Sequence, residues 1–195
     1  MTKLNRRAAL RMLLQERGDL IVVSGLGAAT YDVAACGDEP LDFPLWGAMG
    51  GAAMIGFGLA LAQPQRTVLV VTGDGDMLMG MGSLATIAAH QPPNLRIIVL
   101  DNERYGETGD QRTHTAMGTD LAAVARGCGI EESMTIYTEK ELAALRAQLH
   151  TGRAPLFAVI KVAAEELPRV LPSRDGAYLT HRLRTALLGA AAAEA

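Results

Sequence analysis

Five short apolar runs recur along the chain, Leu20–Ser24, Thr67–Thr72, Leu95–Leu100, Met134–Tyr137 and Leu156–Val162, with helical periodicity in the stretches between them. A run with no polar alternation belongs to a strand buried on both faces, the situation of a parallel sheet covered by helices on each side. The helical stretches lie at 4–17, closed by Gly18, and at about 28–36, 48–62, 80–90, 119–128, 139–150 and 177–190. This alternation predicts an α/β fold, a three-layer α/β/α sandwich with a mainly parallel sheet. At 195 residues the chain suits one packed domain and is short for two. No linker or repeat divides it, so 1–190 reads as a single domain and 191–195 as an Ala-rich C-terminal tail.

Several function classes fall away on composition. A net charge of −3 with scattered Lys and Arg supplies no basic surface for nucleic acid. Cys36 and Cys128 form no CxxC pair, which argues against a zinc site or a disulfide framework and fits a reducing cytoplasm. The N-terminal apolar positions Leu4, Ala8, Leu10, Leu13 and Leu14 are interrupted by charge, as in an amphipathic helix rather than a signal peptide. Ala48–Ala62 is too short for a membrane span. Aromatics are scarce while Gly (21) and Met (9) are plentiful, a balance that lets backbone approach a ligand closely.

In parallel sheets ligands bind beyond the carboxyl ends of the strands, so the loops there are the places to search. Gly73-Asp74-Gly75 follows TVLVVT. Glycines at a helix N-terminus let N–H groups face a phosphate, and a carboxylate between them would repel that phosphate unless a cation intervened. Asp74 is then a hard oxygen ligand for Mg²⁺; an Asp-Gly turn explains the triplet equally well. The loop after LRIIVL reads Asp101-Asn102-Glu103-Arg104-Tyr105-Gly106, and a neighbouring parallel strand would set Asn102 beside Asp74 as a second oxygen ligand. A third element, Trp46-Gly47-Ala48-Met49-Gly50-Gly51, precedes a Gly/Ala-rich helix, for which close helix packing is the plain explanation.

The order of these elements, with GDG separated from Asn102 by residues 76–101, resembles the diphosphate-binding domain of thiamine-diphosphate enzymes. That resemblance implies Mg²⁺ held by Asp74, Asn102 and the Arg104 carbonyl. It places thiamine diphosphate against Gly73, Asp74, Gly75, Asp76, Tyr105 and Gly106. It makes the Gly47 carbonyl an acceptor for the aminopyrimidine and Met49 a wedge that bends the cofactor, a task suited to a flexible apolar side chain. Tyr105–Thr115 together with GDGDMLMGMGSLATIAAH is similar to sulfopyruvate and phosphonopyruvate decarboxylases over roughly residues 5–130, with Thr108, Gln111, Thr113, His114 and Thr115 matching. Asp76 departs from a common serine and Arg112 from a common proline.

The implied activity is decarboxylation of a small 2-oxo acid. Its activating glutamate belongs, in the family, to a separate pyrimidine-binding domain, and one domain of this length cannot hold both. The chain is therefore expected to be a β-type subunit completed by an α-type subunit, as a heterodimer, α2β2 or higher. His114 is a candidate proton relay, although a loop histidine is commonly solvated. Glu107, Asp110 and Arg112 either line the entrance or belong to a solvated loop. Other readings are a carboligating or C–C lyase subunit and a non-catalytic regulatory subunit. Nicotinamide dinucleotide binding at Gly25-Leu26-Gly27 lacks the third glycine, Thr30 standing in its place.

Overall fold

The computed structural model describes residues 3–189, so the 191–195 tail lies outside it. The described chain builds one six-stranded parallel sheet in the order β2-β1-β3-β4-β8-β7. Its strands are β1 (Ile21–Ser24), β2 (Asp42–Pro44), β3 (Val68–Gly73), β4 (Leu95–Asp101), β7 (Glu132–Ile136) and β8 (Leu156–Lys161). Strand residues alternate between two cores, which explains the unbroken apolar runs. Ile21, Val23, Val68, Val70, Ile97 and Val99 face one side, packing against α3 (Ala52–Ala62), α5 (Ser83–His90) and α6 (Leu121–Cys128). Val22, Leu69, Val71, Ile98 and Leu100 face the other, against α1 (Arg6–Leu14), α2 (Ala28–Ala34) and α7 (Glu139–Gln148). The expected three-layer sandwich is the observed fold, closed by α8 (Gly176–Leu188).

Three differences matter for the site. β2 is a three-residue edge strand ending in Pro44, too short for a periodic signal. The stretch expected as one helix over 80–90 is preceded by a separate short helix, α4 (Asp74–Met79), that starts on the GDG triplet itself. A small antiparallel hairpin, β5 (Arg104–Tyr105) with β6 (Gln111–Arg112), rises out of the loop after β4, and a 3-10 turn over His114–Met117 follows it.

The sheet is fastened at the opposite end by a buried arginine. Arg96 is 1% exposed and donates to the carbonyls of Pro93, Leu95, Leu149, Gly152 and Ala154. Burial lowers its pKa, which Glu132 opposes. Arg96→Leu would leave those carbonyls without their donor, so a loss of about 3 kcal/mol in urea unfolding is expected; a change below about 1 kcal/mol would show the clamp to be dispensable. No helix among the described residues is long and apolar enough to cross a membrane.

Candidate active site

β1 lies between β2 and β3, so the chain leaves it toward opposite neighbours, and the crevice above that switch point is where α/β sheets bind ligands. A cavity of about 650 Å³ occupies it, lined by residues that follow β1, β3 and β4. It is roofed by the β5–β6 hairpin and by the extended segment after β8. Arg7 ties that segment down by donating to the Pro168 carbonyl (2.7 Å).

Asp74 opens α4 and is 1% exposed. Its Oδ2 accepts hydrogen bonds from the hydroxyls of Thr113 (2.6 Å) and Thr115 (3.1 Å), which the hairpin carries back beneath it. Among the described residues no side chain donates to Oδ1. Burial pushes the Asp74 carboxyl up to about 6; Asp101 adds to the rise, and the two threonine hydroxyls oppose it. The position thus strains a lone anion, and a cation would relieve it.

Asn102 sits on the adjacent strand end, β3 and β4 being paired in parallel up to Gly73 and Leu100. Its Oδ1 accepts from the Arg104 N–H (3.0 Å) across Glu103, whose φ of +66° is rare for a residue with a side chain. Charge holds this kink. Lys161 at the end of β8 reaches Asp101 (2.8 Å) and Glu103 (2.7 Å), while Lys3 meets Glu103 (2.8 Å). The hydrogen bonds from Lys161 and Lys3 lower the Glu103 carboxyl to about 2.

Asp76 takes a different part from the one its position suggests. Its carboxylate is buried and turned onto the protein, where Oδ1 accepts the Gly50 N–H and Oδ2 the Thr72 hydroxyl. A Cβ at Gly25 would lie 2.0 Å from that carboxylate, so the first glycine of Gly25-Leu26-Gly27 makes room for Asp76. Asp76 therefore latches the 47–51 loop onto α4. Ala48 in that loop has φ +57°, a second strained backbone position at the site. Gly75 is pressed by the Tyr105 ring, which a Cβ would meet at 2.5 Å.

Met49, Gly73, Asp74, Gly75, Asp76, Asn102, Arg104, Tyr105 and Gly106 all line the cavity. Gly47 and His114 do not line it; both are exposed. Glu107 and Asp110 reach its mouth, whereas the exposed Arg112 donates instead to the Ala116 carbonyl. The sequence marks Thr113 and Thr115 only as matches to the decarboxylase segment, with no role, and gives Arg6, Asp32 and Lys161 no part in the site. Their only shared signal is charge or hydroxyl groups on elements that end at the same sheet edge.

The donor set fits a divalent cation shared with an anionic ligand. No group of three His, Cys, Asp or Glu side chains that could hold a metal occurs among the described residues. One buried carboxylate, one amide oxygen and a nearby backbone carbonyl leave coordination positions for ligand oxygens, the pattern of Mg²⁺ bound through phosphates. No side chain caps the first turn of α4, so its N–H groups remain for the same ligand.

Residues 25–162 match the family described as thiamine pyrophosphate enzyme, C-terminal TPP binding domain. Sulfopyruvate decarboxylase subunit beta of Methanocaldococcus jannaschii is 42% identical over 119 residues, 61% of each chain, so the match spans less than two thirds of that relative. The subunit of the same name from Methanococcus maripaludis is 34% identical over 170 residues, 86% of this chain and 90% of the relative. Among solved structures, benzoylformate decarboxylase from Polynucleobacter necessarius superposes with a TM-score of 0.69 at 18% identity, over 85% of this chain and 34% of that one. That likeness concerns the fold.

Proposed function

Because the chain belongs to the thiamine pyrophosphate enzymes, by their C-terminal TPP-binding domain, we propose that it is the β-type subunit of a thiamine-diphosphate- and Mg²⁺-dependent 2-oxo acid decarboxylase of the sulfopyruvate/phosphonopyruvate kind. The observation that carries this reading is the buried Asp74 carboxylate, whose Oδ1 takes no side-chain donor among the described residues, beside Asn102 at the edge of a cavity. In this reading Asp74, Asn102 and the Arg104 carbonyl hold Mg²⁺. Gly73, Gly75, Tyr105, Gly106 and the Asp76 backbone receive the diphosphate. The Gly47 carbonyl and Met49 meet the aminopyrimidine from the exposed side of the loop that Asp76 latches. When bound, the cofactor supplies the electron sink that lets a 2-oxo acid lose CO₂. The chain's own work is to grip, bend and orient that group and to exclude water beneath the hairpin. No proton transfer is assigned to His114, which is exposed and outside the cavity.

The activating carboxylic acid comes from an α-type partner, as a heterodimer, α2β2 or higher. The surface beside the site supports such a partner. Helix α3, AAMIGFGLALA, contains no polar side chain, although a helix apolar on all sides belongs in an interior. Its outer residues Met54 and Leu61, with Met49 and Met79, are exposed large hydrophobics. Two free thiols suit a reducing cytosol. In the purified pair supplied with Mg²⁺ and cofactor, CO₂ release from 3-sulfopyruvate or 3-phosphonopyruvate is expected. Failure to release CO₂ from any 2-oxo acid, together with no carboligation, would refute the assignment.

The Asp76 latch yields a separate expectation. Asp76→Ala frees Gly50 and lets Met49 drift, so C2–H exchange of the bound cofactor in the assembled pair should slow about tenfold or more. Asp76→Asn keeps an acceptor for the Gly50 N–H and should stay within about twofold of wild type. Equal exchange rates in the Ala variant and wild type would separate Asp76 from the orientation of the loop.

A further inference from the structure

The cavity carries one buried cation that nothing above uses. Arg6, on the first turn of α1, is 6% exposed and is among the residues that line the cavity. Its Nε donates to Asp32, which is fully buried and also takes Arg7 Nε (2.9 Å). Two guanidiniums against one carboxylate leave a net positive charge. Arg7 spends a remaining donor on the Pro168 carbonyl. Arg6 does not: its Nη nitrogens make no hydrogen bond to any described residue, and they are not sealed from the cavity. A guanidinium has five donors, and those that Arg6 leaves free of protein partners are available to an anionic ligand entering the cavity.

The other lining arginines are differently placed. Arg104 donates to the Asp110 carbonyl (3.2 Å), and Arg169 lies on the surface over the Tyr31 ring. Leu26, Ala28 and Ala29 line the same cavity with small or apolar side chains; Glu165 and Glu166 line it too, Glu165 taking a hydrogen bond from Asn5 (2.7 Å) and neither accepting one from Arg6. Asp32 fixes the guanidinium, so its fork is oriented before a ligand arrives.

We infer that Arg6, braced by Asp32, is an oxyanion subsite of the cavity that receives a tetrahedral anionic group, either the terminal phosphate of the cofactor or the sulfonate or phosphonate of the substrate. The identity of these two sources rests on the function proposed above; the subsite itself does not.

The test compares wild type with Arg6→Gln and, because that change leaves the buried Asp32 with Arg7 as its one guanidinium partner among the described residues, with the double variant Arg6→Gln/Asp32→Asn, each checked for folding by its melting transition. Thiamine diphosphate and thiamine monophosphate are titrated calorimetrically with Mg²⁺, and KM for 3-sulfopyruvate and for pyruvate is measured on the assembled pair. A loss of about tenfold or more in diphosphate affinity, with monophosphate affinity little changed, assigns Arg6 to the cofactor. Unchanged cofactor affinity with a rise of about tenfold in KM for 3-sulfopyruvate relative to pyruvate assigns it to the substrate. If a folded variant alters neither ratio beyond about twofold, the inference is overturned. Should wild type bind neither thiamine compound, the proposed function fails on its own. Titration with inorganic phosphate and methylphosphonate then decides Arg6 separately, since their binding should vanish with the side chain, and equal binding by variant and wild type would again overturn it.

Discussion

Asp74→Ala is expected to weaken Mg²⁺-dependent binding of thiamine diphosphate by more than about 100-fold, beyond the roughly 10- to 100-fold typical of losing an outer-shell partner of a metal site. Among the described residues Asp74 is the carboxylate that combines near-complete burial, a place on the first turn of α4 and an oxygen that takes no side-chain donor. Its removal leaves Mg²⁺ with an amide and a backbone carbonyl, which are weak neutral ligands. The fold should survive, because the Asp74 side chain sits where burial penalises its charge, as its carboxyl raised to about 6 records. Thr113 and Thr115 lose an acceptor but keep each other (2.8 Å), and Thr115 keeps Asp101 (2.8 Å). Calorimetric titration with and without EDTA, beside a thermal melt, separates the outcomes. Unchanged affinity in a folded variant would remove Asp74 from the metal site.

The second large effect concerns the partner. Replacing the α-type subunit's activating Glu by Gln should cut CO₂ release by about 10² to 10⁴, the usual worth of a positioned acid–base group, without weakening Mg²⁺-diphosphate binding to this chain. The division of labour behind that expectation is physical. The described cavity gathers groups that could hold an anion through a cation, and several acids at the ends of β3 and β4 are already committed within the fold. Asp76 is bonded to Gly50 and Thr72, Asp101 to Lys161 and Thr115, and Glu103 to Lys3 and Lys161. The loop bearing Gly47 and Met49 faces outward, next to the apolar side of α3, so whatever completes the pyrimidine end arrives from outside. A Gln variant with undiminished activity would mean that the activating acid has been sought on the wrong chain.

The legible parts of the molecule were those with local signatures. Continuous runs such as TVLVVT announce a doubly buried strand because each residue contributes to one core or the other. The spacing from Asp74 to Asn102 spans the short helices α4 and α5 and one strand, and parallel pairing converts that spacing into proximity. Less legible was whatever depended on direction. Asp76 looks like a residue facing phosphate, yet its carboxylate turns away to Gly50 and Gly25, a contact across 26 residues that no periodicity reports. Thr113 and Thr115 reach Asp74 only through a hairpin whose turn, with Asp110 at φ +60°, lacks the Asn-Gly or Asp-Gly pair that usually marks one. Arg6 and Asp32 lie on two helices that read as ordinary amphipathic surface until they meet. His114 drew notice as a titratable group in the right loop, and the 3-10 turn carries it outward instead.

The most direct measurement of the half-site is a calorimetric titration of this chain with thiamine diphosphate, alone and with its α-type partner, in Mg²⁺ and in EDTA. Binding is expected to require Mg²⁺, to occur weakly on the isolated chain, and to tighten when the partner adds the pyrimidine side. Binding equally tight in EDTA, or indifferent to the partner, would contradict it.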